Sequence, residues 1–133
     1  MTGYVVDASV AVEYLLRTPL GITLADTVED ALLAAPEMLD AEVMSVLRRA
    51  VLTGRLDEAR AVMALSDLAL WPIDRISHRA LTLLAWEHYS NISAYDAFYV
   101  AAARTLGVPL LTADGRLARL TGLDIAVHHI QLS

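Results

Sequence analysis

The sequence predicts an α/β fold built on a parallel sheet with helices on both faces, and three observations predict it. Short β-branched or apolar runs alternate with segments of helical periodicity, the pattern that β-α-β units leave in a sequence. The length, 133 residues, suits one domain spanning residues 1–133 and leaves no room for a second. The composition, 56% hydrophobic and 20% charged, supplies enough apolar material to cover a sheet on both sides.

The elements follow in order. Tyr4-Val5-Val6 is a β-branched run that ends at Asp7 and passes directly into a helical stretch over residues 10–16, which Thr18 and Pro19 break. A second helix is expected over residues 22–30 and a short apolar strand over 32–35. A long helix follows Pro36 and ends near Gly54, and Asp57 caps another that runs to about Leu68. Residues 70–73 have the composition of a strand, with Pro72 confining it to an edge or to irregular structure. Residues 76–88 read as helical. Ser93 opens a helix to Leu106, Gly107 stops it, and residues 108–112 form a buried strand leading to Asp114. Residues 117–120 read as helix and 125–129 as the last strand. No repeat or Pro/Gly/Ser-rich linker divides the chain.

Composition also excludes whole function classes. The longest stretch without a charged side chain is nine residues, whereas a spanning helix needs about twenty apolar ones, so no membrane span is expected. The first residues lack a basic segment and reach an acid at Asp7, unlike a secretory signal, which points to a cytoplasmic protein. There is no cysteine, which removes disulfides, thiolate zinc sites, iron–sulfur clusters and a cysteine nucleophile. All 10 basic residues are arginines, so a P-loop lysine and Schiff-base chemistry are excluded too. A net charge of −6 opposes broad coating of nucleic acid, but a local arginine patch with metal ions would still hold one.

In parallel sheets ligands bind beyond the carboxyl ends of the strands, near the point where strand order reverses. Asp7 closes the first strand and Asp114 follows Leu110-Leu111-Thr112-Ala113, which places both on the same edge. Each also reads as an ordinary helix cap or turn residue. Asp96 fits a capping box, Ser93-Ala94-Tyr95-Asp96, yet residues 98–103 behind it are apolar all round, the mark of a buried helix that would desolvate the carboxylate. Glu42 discriminates best. Leu39, Val43, Val46, Leu47 and Ala50 form the apolar stripe of the long helix, with Glu42 on one margin and Asp40 on the other. No base stands three or four residues after Glu42, where Ser45 and Val46 lie, so either a pocket or a solvated margin takes it.

Four carboxylates converging in a partly buried pocket repel one another and require a cation. Hard oxygen donors select Mg²⁺ or Mn²⁺ over zinc or copper. The histidines do not suggest zinc: His128 and His129 are adjacent on a strand and point oppositely, while His78 and His88 stand alone and read as surface or hydrogen-bonded residues.

These residues together resemble the PIN domain, and most nearly the VapC type of toxin ribonuclease. The resemblance rests on Val5-Val6-Asp7-Ala8-Ser9, on Glu42 within Asp40-Ala41-Glu42-Val43, on Ser93-Ala94-Tyr95-Asp96-Ala97, and on Leu111-Thr112-Ala113-Asp114 followed by Leu117. No single motif is specific, but the ordered set spans essentially the whole chain. It implies a twisted parallel sheet of about five strands flanked by helices, and Mg²⁺- or Mn²⁺-dependent cleavage of RNA at Asp7, Glu42, Asp96 and Asp114. Ser9 and Thr112 stand where members often carry a hydroxyl that holds a water or a phosphate oxygen. Gly115 and Arg116 stand where some members carry a further acid. The resemblance also implies a cognate antitoxin, a homodimer and an antitoxin segment that blocks the acidic pocket.

Phosphodiester hydrolysis fits the residues independently, since carboxylates that place metal, with one accepting a proton from water, need no nucleophilic side chain. Arg116 is the candidate for substrate contact, with Arg17 and Arg119 beside it, whereas Arg48, Arg49 and Arg55 read equally as a solvated helix face. The apolar stretches 22–33 and 61–70 are candidate partner surfaces or ordinary core. Two other readings compete. A haloacid-dehalogenase-like phosphatase also opens on a strand ending in Asp, but needs a second Asp where Ser9 stands, and the chain has no lysine. A catalytically silent PIN-like module would bind RNA or protein without cutting. A dinucleotide fold fails for want of a glycine-rich turn after the first strand.

Overall fold

Continuous apolar runs set the sheet, because parallel strands are covered on both faces. The computed structural model describes residues 2–132. Among them five parallel strands form one sheet: β1 (Gly3–Val6), β2 (Leu32–Pro36), β3 (Ile73–Ile76), β4 (Leu110–Thr112) and β5 (Val127–His129). Their spatial order is β3-β2-β1-β4-β5. The helices are α1 (Ala8–Leu16), α2 (Pro19–Glu29), α3 (Leu39–Leu52), α4 (Glu58–Leu70), α5 (Thr82–Trp86), α6 (Ala94–Leu106) and α7 (Gly115–Ala118), with a 3-10 turn at His78–Ala80. None of them is long and apolar enough to cross a membrane.

The chain steps from β1 to β2 to β3 in one direction, then returns to place β4 on the other side of β1. Strand order therefore reverses between β1 and β4, where Val5 pairs with Leu110 and Val6 with Leu111. Right-handed crossovers put α1 to α4 on one face and α5 to α7 on the other. The packing agrees: α1 lies against α2, α3 and α4, while α6 packs on α5 and on β1, β2 and β4. The core sits between these layers, with Val5, Val6, Val10, Leu39, Val43, Val100 and Leu110 all 0% exposed. Burying each such side chain contributes about 1.5–3 kcal/mol.

One close approach is decided by a glycine. Thr18 caps α2 by accepting from Gly21 N at 3.0 Å, and Pro19 takes the first helical turn. A Cβ on Gly21 would lie 2.0 Å from the Glu13 carbonyl oxygen, so only glycine lets α2 cross α1 this tightly.

Most expected elements stand within two or three residues of their places, and α6 with its Ser93 cap and Gly107 stop matches fully. The third strand differs. It lies at Ile73–Ile76, after Pro72 rather than through it, so residues 76–88 hold the end of β3, the 3-10 turn and the short α5 instead of one helix. As an edge strand it needs only one apolar face, and Asp74 and Arg75 disguised it. Val46 is also corrected: it is 45% exposed, and the core stripe of α3 is Leu39, Val43 and Leu47. Within the two apolar stretches, Leu24, Val28, Leu33, Ala61, Ala64 and Leu68 are core, whereas Ile22, Leu32, Val62, Met63 and Leu70 are exposed.

Candidate active site

The reversal of strand order brings two acids together. Because Val6 is in register with Leu111, Asp7 lies level with Thr112 at the carboxyl edge, and Asp114 begins the next turn beyond it. Both acids cap the helices they precede. Asp7 Oδ1 accepts from Val10 N at 3.1 Å and from Ser9 Oγ at 2.6 Å. Asp114 Oδ1 accepts from Arg116 N at 2.9 Å and from Leu117 N at 3.4 Å. The capping role and the site role of these residues are therefore not alternatives.

Ser9 and Thr112 tie the two turns together. Ala113 N donates to Ser9 Oγ at 2.8 Å, Asp114 N donates to Thr112 Oγ1 at 2.9 Å, and the two hydroxyl oxygens stand 3.4 Å apart. Thr112 is fully buried and Asp7 is 7% exposed, so this hydroxyl bridge fixes Asp7 in a nearly dry position.

The other two acids arrive on helices. Glu42 lies in the first turn of α3, whose Met38 N donates to His78 Nε2 at 3.1 Å, and the His78 ring packs on Phe98 with centroids 4.6 Å apart. Glu42 Oε1 accepts from the Tyr99 hydroxyl at 2.5 Å. Asp40, on the opposite margin, instead forms a two-pronged ion pair with Arg75 at 2.8 and 3.2 Å. Asp96 lies in the first turn of α6, where Ser93 Oγ accepts from its backbone N at 3.1 Å. Its carboxylate takes Arg116 Nη2 at 2.7 Å, and the same nitrogen reaches Asp114 Oδ2 at 3.1 Å.

Electrostatics bind the set. Burial raises the Asp7 carboxyl above its ordinary value, hydrogen bonds from Ser9, Thr112 and Val10 oppose that, and the charge of Asp114 adds to it. Burial likewise raises Glu42; the Tyr99 hydrogen bond lowers it, while Asp7 and Asp96 raise it. Burial and Glu42 hold the Tyr99 phenol far above its usual value, so it is a permanent donor. Asp96, chiefly through its hydrogen bond, and then Asp114 keep Arg116 firmly protonated. Among the described residues no three acids, histidines or cysteines are gathered tightly enough to grip an ion in this arrangement.

The structure thus brings all four expected acids, with Ser9, Thr112 and Arg116, to one sheet edge. It does not bring Arg17, which ends α1 about 15 Å of helix away from Asp7. Arg119, at the end of α7, makes no ion pair among the described residues. His88 is buried, and its Nε2 has no hydrogen-bond partner there, contrary to the expected surface or satisfied histidine. Sequence reasoning missed two residues. His78 accepts at the start of α3 from 40 residues away, which no local pattern announces. Tyr99 lies within the apolar helix body expected over residues 98–103, and a phenol in a buried helix needs a partner, the one signal that points to it.

A PIN-domain family profile matches residues 4–123. The ribonuclease VapC1 of Mycobacterium tuberculosis is 41% identical over 125 residues, which cover 92% of this chain and 94% of that protein. Among solved structures, PAE2754 from Pyrobaculum aerophilum superposes with a TM-score of 0.66 at 22% identity, covering 95% of this chain and 83% of that one. VapBC-5 of Mycobacterium tuberculosis, a member of the VapBC family of toxin–antitoxin systems, aligns with a TM-score of 0.57 at 19% identity over 99% of this chain and all of that one. At these identities the structural likenesses speak for the fold, while the profile and the sequence identity decide the family. The chain belongs to the PIN-domain family, among its VapC-type ribonucleases.

Proposed function

We propose that the protein is a metal-dependent endoribonuclease, the toxin of a toxin–antitoxin pair, which cleaves RNA with Mg²⁺ or Mn²⁺ held by Asp7, Glu42, Asp96 and Asp114. One observation carries the reading: four carboxylates from four separate segments line one sheet edge at the reversal point, near enough to feel one another's charge, and two of them are burdened by burial as well. The donor set fits a hard divalent ion, since every candidate ligand is an oxygen. Arg116 now supplies positive charge between Asp96 and Asp114, and loading an ion requires those two acids to exchange the guanidinium for it. When bound, the ion lowers the pKa of a water and neutralises charge on the phosphodiester oxygens.

The chain's own groups do the rest. Ser9 and the Val10 amide hold Asp7 still, and a carboxylate of the set accepts the proton of the attacking water. Thr112 and Ser9, their hydroxyls spent on Asp7 and on the Ala113 and Asp114 amides, keep Asp7 and the Asp114 turn in register rather than touching water or phosphate as the resemblance implies. Arg116, once released, is placed to bind phosphate by a charge-assisted hydrogen bond. The antitoxin, the homodimer and a cytoplasmic location belong to the same reading. VapBC-5 supports the antitoxin by fold, and exposed Ile22, Val62, Met63 and Leu70 offer apolar partner surface.

The test uses metal-stripped protein, free of any partner, mixed with end-labelled cellular RNA with and without Mg²⁺ or Mn²⁺, beside Asp96→Asn. The reading expects discrete fragments that need metal and vanish in the variant. RNA left intact under every metal condition overturns it and favours a silent binding module.

A further inference from the structure

We infer that Tyr99 is a positioning residue of the metal site: its buried hydroxyl holds one oxygen of Glu42 and so fixes the direction in which that carboxylate presents the other. The inference rests on the metal-dependent reading above and names a residue that reading does not use. Three observations carry it.

Tyr99 follows Asp96 by three residues on α6, so the two side chains lie on one helix face. Glu42 comes from α3 on the opposite side of the sheet, and the Tyr99–Glu42 hydrogen bond at 2.5 Å joins the two layers over the carboxyl edge across 57 residues of sequence. Tyr99 is 2% exposed, so the phenol is locked by packing and serves as a fixed post. Finally, Glu42 makes no ion pair and no other side-chain hydrogen bond among the described residues. A half-buried glutamate with three rotatable bonds has otherwise nothing to choose its rotamer. Mere core filling does not account for this, because a phenyl ring fills the same space without an oxygen to satisfy. Partners that orient a metal-binding carboxylate typically carry a tenfold to hundredfold share of metal affinity.

Mn²⁺ dissociation constants of the metal-stripped protein, followed by electron paramagnetic resonance, test this without recourse to cleavage. Tyr99→Phe is expected to weaken Mn²⁺ binding by about tenfold or more, with the circular dichroism spectrum unchanged. In a Glu42→Gln background, Tyr99→Phe is expected to add nothing, since the group it positions is already altered. Glu42→Asp keeps the charge but withdraws it from the phenol; it leaves the core untouched, and is expected to reproduce the loss and to mask Tyr99→Phe in the same way. Equal Mn²⁺ affinity in wild type and Tyr99→Phe overturns the inference while leaving the metal site standing. So does an equal loss in the wild-type and Glu42→Gln backgrounds, which marks a general packing defect. A wild type that binds no Mn²⁺ at all overturns the metal-dependent reading, and this inference with it.

Discussion

The four carboxylates fall into two pairs held by different means. Asp7 and Asp114 follow strands, cap helices and are pinned by backbone amides and the Ser9–Thr112 bridge. Glu42 and Asp96 ride in the first turns of α3 and α6, cap nothing with their carboxylates, and are held by single side chains, Tyr99 and Arg116. The strand-end pair is thus part of the fold, while the helix-borne pair is placed by it. Removing a strand-end acid tests structure and site together; removing a helix-borne one tests the site almost alone.

The largest expected effect ignores this difference. Alanine at any of the four acids should reduce metal-dependent RNA cleavage by more than about a hundredfold, read as initial rates on one labelled RNA; a variant that keeps its rate removes that acid from the set. Stability should then separate the pairs. Ser9→Ala leaves the Ala113 amide without its acceptor and Asp7 with one donor fewer, and is expected to cost about 1–3 kcal/mol, whereas Glu42→Gln removes a charge that burial disfavours and should cost nothing at neutral pH in thermal melts of metal-free protein. Equal losses would collapse the distinction.

Acidity sharpens it further. Asp7 and Glu42 hold protons more readily in the folded chain than at their ordinary values of 3.8 and 4.5. The metal-free fold therefore carries their full penalty above the raised values and sheds it as the pH falls back toward 4. Asparagine caps a helix as well as aspartate does, so Asp7→Asn should melt above the wild type at pH 7 in a chelator, with the advantage vanishing in acid. The smallest effect belongs to Arg116→Ala. It should lower the salt slope of RNA binding by about one and, by removing a competing cation, tighten Mn²⁺ binding.

Legibility followed the same divide. The strand-end acids were readable because a strand that stops at an aspartate is a local pattern, and parallel topology then fixes which edge they share. Asp96 and Glu42 were readable as misfits, one at the start of an apolar helix and the other without a helical ion pair. What held them was not readable, since Tyr99 and His78 act across 57 and 40 residues of chain, where periodicity carries no information. The third strand lies three residues beyond its expected place because an edge strand with one polar face lacks the apolar run that marks a buried one. Arg17 looked like a phosphate contact for lying near a turn, but a helix carries it to the wrong end of the domain.

The hydrogen bond from Ala113 to Ser9 closes a loop of 104 residues, among the longest closures this chain contains. Closures of that span form late, because their entropy cost is met only after nearer contacts exist. No fragment that stops short of β4 can hold the carboxylate set, whatever helices it has already built. For a chain proposed to cut RNA this has a consequence during its own synthesis: until the segment around Asp114 has been made and docked beside β1, the growing polypeptide is unarmed.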